Sequence, residues 1–165
     1  MAKDFSFDIE CKFDMQEVKN AVDQAKREIQ TRYDFKNVFV EINLSDEMIV
    51  LTTESDYKIE AVKQVLVAKL VKRNQSPKIL DWSSEPKPTS GMKVRQEIGL
   101  IKALETDQVK QISKMIKNSG RKVKSSIQGE SVRVSSTAKD ELQNIMQLIR
   151  SSKEIDAPIS FVNFR

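Results

Sequence analysis

An α+β chain made of one two-layer βαββαβ sandwich repeated is what this sequence predicts, and three observations predict it. Apolar residues recur at period two in some segments and at helical spacing in others. These segments run in the order strand, helix, strand, strand, helix, strand, and that order occurs twice. Between the two runs lies a single stretch, 83–91 (SSEPKPTSG), rich in Ser and Pro and free of large apolar residues. The expected division is a first domain over 1–82, a linker at 83–91 and a second domain over 92–165.

In the first half, Phe5, Phe7, Ile9 and Cys11 alternate with Ser6, Asp8 and Glu10, the pattern of a half-buried strand. Asp14, with Glu17 three residues on, is placed to cap a helix whose inward face is Val18, Ala21, Val22, Ala25 and Ile29. A hairpin follows, with Val38, Val40, Ile42 and Leu44 alternating, a turn at Ser45 to Met48, and Ile49, Leu51 and Thr53 returning. Asp56 is expected to cap a second helix through Ile59, Val62, Leu66 and Leu70 to Arg73, with KILDW as a short strand after it.

The second half repeats this with other residues. Val94, Gln96, Ile98 and Leu100 alternate; Thr106 caps a helix with Val109, Ile112 and Ile116 inward and Gly120 just beyond its end. The hairpin KVKSSIQGESVRVSST has Gly129 in its turn. Thr137 caps a last helix with Leu142, Ile145, Met146 and Ile149 inward, and ISFVNFR closes as a strand. Each unit is then a sheet with two helices on one face, and the other sheet face is left over. At 165 residues a chain buries roughly 70% of its unfolded surface, which suffices for two small cores.

Composition excludes much chemistry. There is no His, so no Ser-His-Asp or Cys-His catalysis, and one Cys, so no internal disulfide and no Cys/His zinc site. The glycines at 91, 99, 120 and 129 form neither a Walker loop nor a G-x-G-x-x-G loop. Carboxylates are plentiful without a catalytic pairing, and an enzyme is not supported. No apolar run approaches the ~20 residues that span a bilayer. The start, MAKDFSFDIE, lacks a signal peptide's apolar stretch, and a cytoplasmic protein away from membranes is expected. Residues 1–83 carry 13 Lys+Arg against 15 Asp+Glu, net −2, while residues 84–165 carry 15 against 9, net +6. That asymmetry asks for an anionic partner.

With Gly129 and Glu130 as loop residues, Gln128 pairs with Ser131, Ile127 with Val132, Ser126 with Arg133 and Lys124 with Ser135. Parity turns Val123, Ile127, Val132 and Val134 toward the helices and Lys122, Lys124, Ser126, Arg133 and Ser135 outward. In the first hairpin Phe39, Glu41, Asn43, Val50, Thr52 and Glu54 point outward. Alternating Lys and hydroxyl groups offer donors to phosphate oxygens without reading a base, and they are equally an ordinary strand surface. The outward positions hold no aromatic, which argues against base stacking in the manner of an RNA-recognition motif; Phe161 and Phe164 on the last strand belong with the core or an interface. Lys69, Lys72 and Arg73, with Lys63 a turn earlier, either complement the end of the second helix or grip an anion. Arg32, Asp34 and Lys36, flanked by Tyr33 and Phe35, form either a capping turn with buried rings or a clasp for a base and its phosphate.

The segments SFDIEC, NAVDQAKREIQTRYDFK, KLVKR, VRQEIGL, KMIKNSGRKVKSSIQGESVRVSS, KDELQNIMQLIR and ISFVNFR together resemble the YajQ family (UPF0234, DUF520) over essentially the whole chain. The resemblance implies a tandem of two ferredoxin-like domains with exchanged strands. The strand around Phe7 (5–11) would join the second sheet and the one around Arg95 (93–101) the first. It also implies nucleotide binding, with nucleic acid as a ligand and cyclic di-GMP as effector in some members. Its motifs touch Arg32, Asp34, Lys36, Lys69, Lys72, Arg73, Arg95, Gln96, Lys122, Lys124, Arg133 and Arg165. The expected function is non-enzymatic binding of a nucleotide or nucleic acid, RNA ahead of DNA, through a basic surface and without a cofactor. The other reading is a ligand-sensing regulatory module, for a cyclic dinucleotide for example, acting through protein or nucleic-acid partners.

Overall fold

The computed structural model describes residues 4–155 and 157–165. The strands are β1 (Phe5–Cys11), β2 (Glu41–Leu44), β3 (Met48–Thr53), β4 (Leu80–Asp81), β5 (Lys87–Thr89), β6 (Lys93–Leu100), β7 (Lys124–Gln128), β8 (Ser131–Ser136) and β9 (Ile159–Val162). The helices are α1 (Met15–Thr31), α2 (Asp56–Lys72), α3 (Thr106–Asn118) and α4 (Lys139–Ser151). This is the α+β tandem of ferredoxin-like βαββαβ units, with two antiparallel sheets.

The sheets are not assembled from consecutive strands. One has the order β2-β3-β6-β4, with β5 also on β6; the other has the order β7-β8-β1-β9. Phe7 therefore lies opposite Val134 and Ile9 opposite both Val132 and Phe161, while Ile98 lies opposite Ile49. The chain divides into two compact units, Phe13–Ile101 (the first unit) and Met1–Lys12 with Lys102–Arg165 (the second unit). By sequence the first unit holds 14 Lys+Arg and 14 Asp+Glu, and the second 14 against 10, so grouping by sheet reduces the charge contrast to net 0 against +4.

Helical spacing delivers Val18, Ala21, Val22, Ala25 and Ile29 of α1 and Ile59, Val62, Val65, Leu66 and Leu70 of α2 to the first core, against Ile42, Ile49, Leu51 and Ile98. The second core joins Phe7 and Ile9 to Val132, Val134, Val109, Ile112, Ile116, Leu142, Ile145 and Ile149. The β7–β8 register is the one a two-residue Gly129-Glu130 loop dictates, with Ser126 opposite Arg133 and Lys124 opposite Ser135.

Several local expectations are corrected. Segment 83–91 lies inside the first unit, and β5 within it pairs with β6, because a Pro-containing strand is tolerated at a sheet edge. Ser55, not Asp56, caps α2, its side chain accepting from Lys58 N. Glu105, not Thr106, precedes α3, its N–H donating to Gln108 Oε1 at 2.9 Å. Ser136, not Thr137, serves the start of α4, its Oγ accepting from Ala138 N at 3.2 Å. KILDW is a 3-10 turn over Pro77–Ile79 followed by the two residues of β4. Ile127 faces the helix side by parity yet is 48% exposed, since it stands one residue pair from the hairpin tip.

Candidate nucleotide interface

On the second sheet, β1 sends Phe7 and Ile9 inward, which turns Asp8 to the free face. The same parity on β8 buries Val132 and Val134 and turns Arg133 outward. Asp8 and Arg133 are direct cross-strand partners. Arg133 Nε donates to Asp8 Oδ1 at 2.9 Å and Nη2 to Oδ2 at 3.4 Å.

A third group completes the cluster through a bulge. Asp8 pairs with Val162, yet Ser6 exchanges both backbone hydrogen bonds with Arg165, at 3.3 and 3.0 Å, so two residues, Asn163 and Phe164, stand opposite Phe7. Asn163 takes the extra turn at φ 56. Its Nδ2 donates to Asp8 Oδ2 at 2.9 Å, while Phe164 stacks on Phe7 with ring centroids 5.9 Å apart. The Arg133 hydrogen bond holds the Asp8 carboxyl below the usual carboxylate range against the opposing effect of burial, and Asn163 and the Arg133 and Arg165 charges assist. Asp8 is 5% exposed, whereas the Arg133 side chain is 39% exposed, so the carboxylate orients a guanidinium whose remaining N–H groups face solvent.

Around Arg133 the outward side chains are Lys124, Ser126 and Ser135. Ser126 Oγ accepts from Gln128 Nε2 at 2.8 Å. Lys122 anchors its backbone carbonyl to Ser136 Oγ at 2.8 Å and leaves its side chain exposed. A cavity of about 340 Å³ is lined by Asp4, Lys122, Lys124, Ser135, Ser136 and Thr137. With Ser136 Oγ committed to the Lys122 carbonyl, the groups in this lining suited to phosphate oxygens are the Lys122 and Lys124 ammonium groups and the Ser135 hydroxyl, beside the Asp4 carboxylate. Phe161 packs edge-on against Phe7 and carries Arg150 over its ring, so it serves the core side of the sheet.

The structure brings Lys122, Lys124, Arg133 and Arg165 into the second unit and leaves the other sequence-predicted residues in the first. There, carboxylates of the same unit engage most of them. Lys69 Nζ lies 3.0 Å from Glu28 Oε1, Arg73 is 3.5 Å from Glu17, and Arg95 is 2.9 Å from Glu97 on its own strand. Arg32 forks onto Asp34, with Nε to Oδ1 at 2.9 Å and Nη2 to Oδ2 at 2.8 Å. Arg32 follows the last turn of α1 as its C-cap; Phe35 is buried beneath Arg32 and Lys58, while Tyr33 stays 89% exposed, so only one of the two rings is buried. Lys72 is exposed at the end of α2.

Sequence reasoning missed Asn163 and the organising role of Asp8. Asp8 is visible only as the polar member of an alternating strand, and no turn signature marks the bulge at Asn163. No helix among the described residues is long and apolar enough to cross a membrane.

The family described as "Nucleotide-binding protein YajQ-like" matches residues 5–165. A nucleotide-binding protein of Picosynechococcus sp. is 46% identical over 165 residues, covering all of both chains. One from Desulfitobacterium hafniense is 46% identical over 165 residues, again with both chains fully covered. One from Sulfurovum sp. is 41% identical over 167 residues at full coverage of both.

Proposed function

The chain belongs to the YajQ-like family of nucleotide-binding proteins, and from that premise we propose that it holds the phosphates of single-stranded RNA on the free face of the second sheet, without catalysis. The observation that carries this reading is the Asp8–Arg133–Asn163 cluster, which orients an outward guanidinium beside Lys124 and Ser135. Arg133, Lys122 and Lys124 supply charged donors, and the Ser126 and Ser135 hydroxyls suit a ribose 2′-OH, the group that separates RNA from DNA. Arg165 adds charge at the other side of Asp8. The face offers no aromatic platform, so binding is by backbone and indifferent to base sequence. Lys69, Arg73, Arg32 and Arg95 have carboxylates beside them and contribute little; Lys72 is a candidate for a peripheral contact.

A second reading is favoured by the 340 Å³ cavity beside Lys122 and Lys124, a volume suited to one nucleotide of an effector such as a cyclic dinucleotide, with a regulatory protein or nucleic acid as the downstream partner. Salt separates the two. Affinity for a short single-stranded RNA should fall log-linearly with salt, with a slope of about −0.7 per neutralised phosphate. Replacing Lys122 and Lys124 by Ser should reduce that slope by about 1.4 while leaving the folded state intact, and Lys63, Lys69 and Lys72 to Ser is the matched control. A flat salt dependence with saturable binding of one small ligand would select the effector reading. Loss of affinity in the control alone would move the site to the end of α2.

A further inference from the structure

Among the described residues the two sheets end in four open edges, and three are guarded. β7 carries Lys124 and two serines with Lys122 just before it, β5 contains Pro88 beside the two-residue β4, and β9 lies between Pro158 and the bulge at Asn163. β2 has only its shortness and the exposed Glu41. It is a four-residue strand, EINL, continuing the run VFV, with no Pro, Lys or bulge.

Its free backbone groups can be assigned. Ser45 N donates to Met48 O, which closes the turn and makes Glu41 and Asn43 the residues bonded to β3. Glu47 O accepts from Leu100 N, placing the odd-numbered residues of β3 in register with β6, as this alternation requires. The N–H and C=O groups of Ile42 and Leu44 therefore point out of the sheet. Between α1 and this edge run two cavities of about 270 and 470 Å³ that share Lys26 and Asn43. Their walls hold Lys19, Asp23 and Lys26 from α1 and Glu41 and Asp46 from the strand side, so both signs are present along the rim.

We propose that β2 is a docking edge for a second copy of this chain, pairing antiparallel with its equivalent across a two-fold axis to continue the sheet. The strand can pair with its own copy in a register centred on Ile42. With Ile42 opposite Ile42 of the second copy, outward-pointing backbone groups meet, and Glu41 lies opposite Asn43. The register shifted by two residues one way would put Glu41 opposite Glu41, a like-charge pair that disfavours it. An isologous contact of this kind closes at two copies and leaves no edge to propagate.

The test uses the full chain. Sedimentation equilibrium should show a monomer–dimer equilibrium, and the amides of Ile42 and Leu44 should exchange more slowly as concentration rises while those of residues 124–128 do not change. Asn43 is exposed and its Nδ2 donates to Glu41 Oε1. N43E gives up that surface bond and sets carboxylates opposite one another twice across the axis. With the monomer's urea midpoint as the control for fold, the dimer dissociation constant should rise about tenfold. The double variant E41K/N43E places Lys opposite Glu and should restore association to near the parent value. A monomer at every concentration overturns the proposal. So does a dimer indifferent to N43E, or concentration-dependent protection at β7 in place of β2.

Discussion

The hairpins β2–β3 and β7–β8 occupy equivalent places in the two units, and their free faces are built to opposite ends. On the first, Glu41, Asn43, Val50 and Thr52 are joined by Arg95 and Glu97 from β6, and the one arginine is closed on its neighbour two residues along. On the second, Lys124, Ser126, Arg133 and Ser135 are joined by Asp8 from β1, a carboxylate from the far end of the chain. Both faces hold an arginine–carboxylate pair, yet only one carboxylate is buried. A buried acid that also accepts from Asn163 holds a guanidinium in one pose, whereas an exposed pair on one strand is screened and mobile. Equal topology thus gives one face with an oriented cation amid donors and another of mixed charge, where Lys87 and Lys93 stand beside the Arg95–Glu97 pair.

The largest expected effect distinguishes the two cores. Phe7 is fully buried in the second core, and Phe7→Ala should cost about 3–5 kcal/mol there. Trp82, the single tryptophan, belongs to the first unit, so its fluorescence in a urea titration reports that unit while far-ultraviolet circular dichroism reports both. The dichroism should show an early transition that the Trp82 signal lacks. Coincident transitions would mean that the two units unfold as one, and the comparison would then concern faces alone.

A smaller effect sharpens the contrast between the two arginines. Arg133→Ala strands the Asp8 carboxylate in a buried position and should lower the urea midpoint measurably at pH 7, with the m-value unchanged. The sign of its pH dependence follows from the direction of the Asp8 shift. A carboxyl held below its ordinary range contributes stability that is fully present above the unfolded pKa of about 3.9 and is lost as pH falls through the folded value. Between neutral pH and acid, the parent should therefore lose more stability than Asp8→Asn. Equal acid sensitivity of the two would remove Asp8 from the account.

The smallest effect belongs to the first face. Arg95→Ala removes an exposed pair and should change stability by no more than about 0.5 kcal/mol, with no change in the RNA salt slope. A drop in that slope by about 0.7 would show that Arg95 leaves Glu97 for a phosphate, and both faces would then be ligand surfaces.

Much of this architecture is legible in the residues, and the exceptions have identifiable causes. Gly129-Glu130 dictates the β7–β8 register because a two-residue loop leaves no alternative pairing. The cap positions of α2 and α3 shift by one residue because neighbouring polar residues compete and only backbone geometry decides which turns extended. Segment 83–91 reads as a linker because its composition reports missing apolar side chains, whereas β5 is held by backbone bonds that any non-Pro residue can supply. Ile127 obeys parity and is still exposed, since periodicity describes a face and not how far the covering layer extends.

Taken alone, the sequence determines the element order, the turn registers, the side of each strand that is apolar, the lack of histidine chemistry and the positive excess of the second half. These depend on residues within a few positions of one another, where steric and hydrogen-bonding preferences act directly. Only the tertiary structure decides which sheet each strand enters. The alternation in Phe5–Cys11 demands a half-buried slot and would fit either sheet; its place between β8 and β9 is a property of the packed whole. That choice sets Asp8 against Arg133, 125 positions away, and Asn163, 155 positions away, and turns a polar residue of one strand into the organiser of the candidate site.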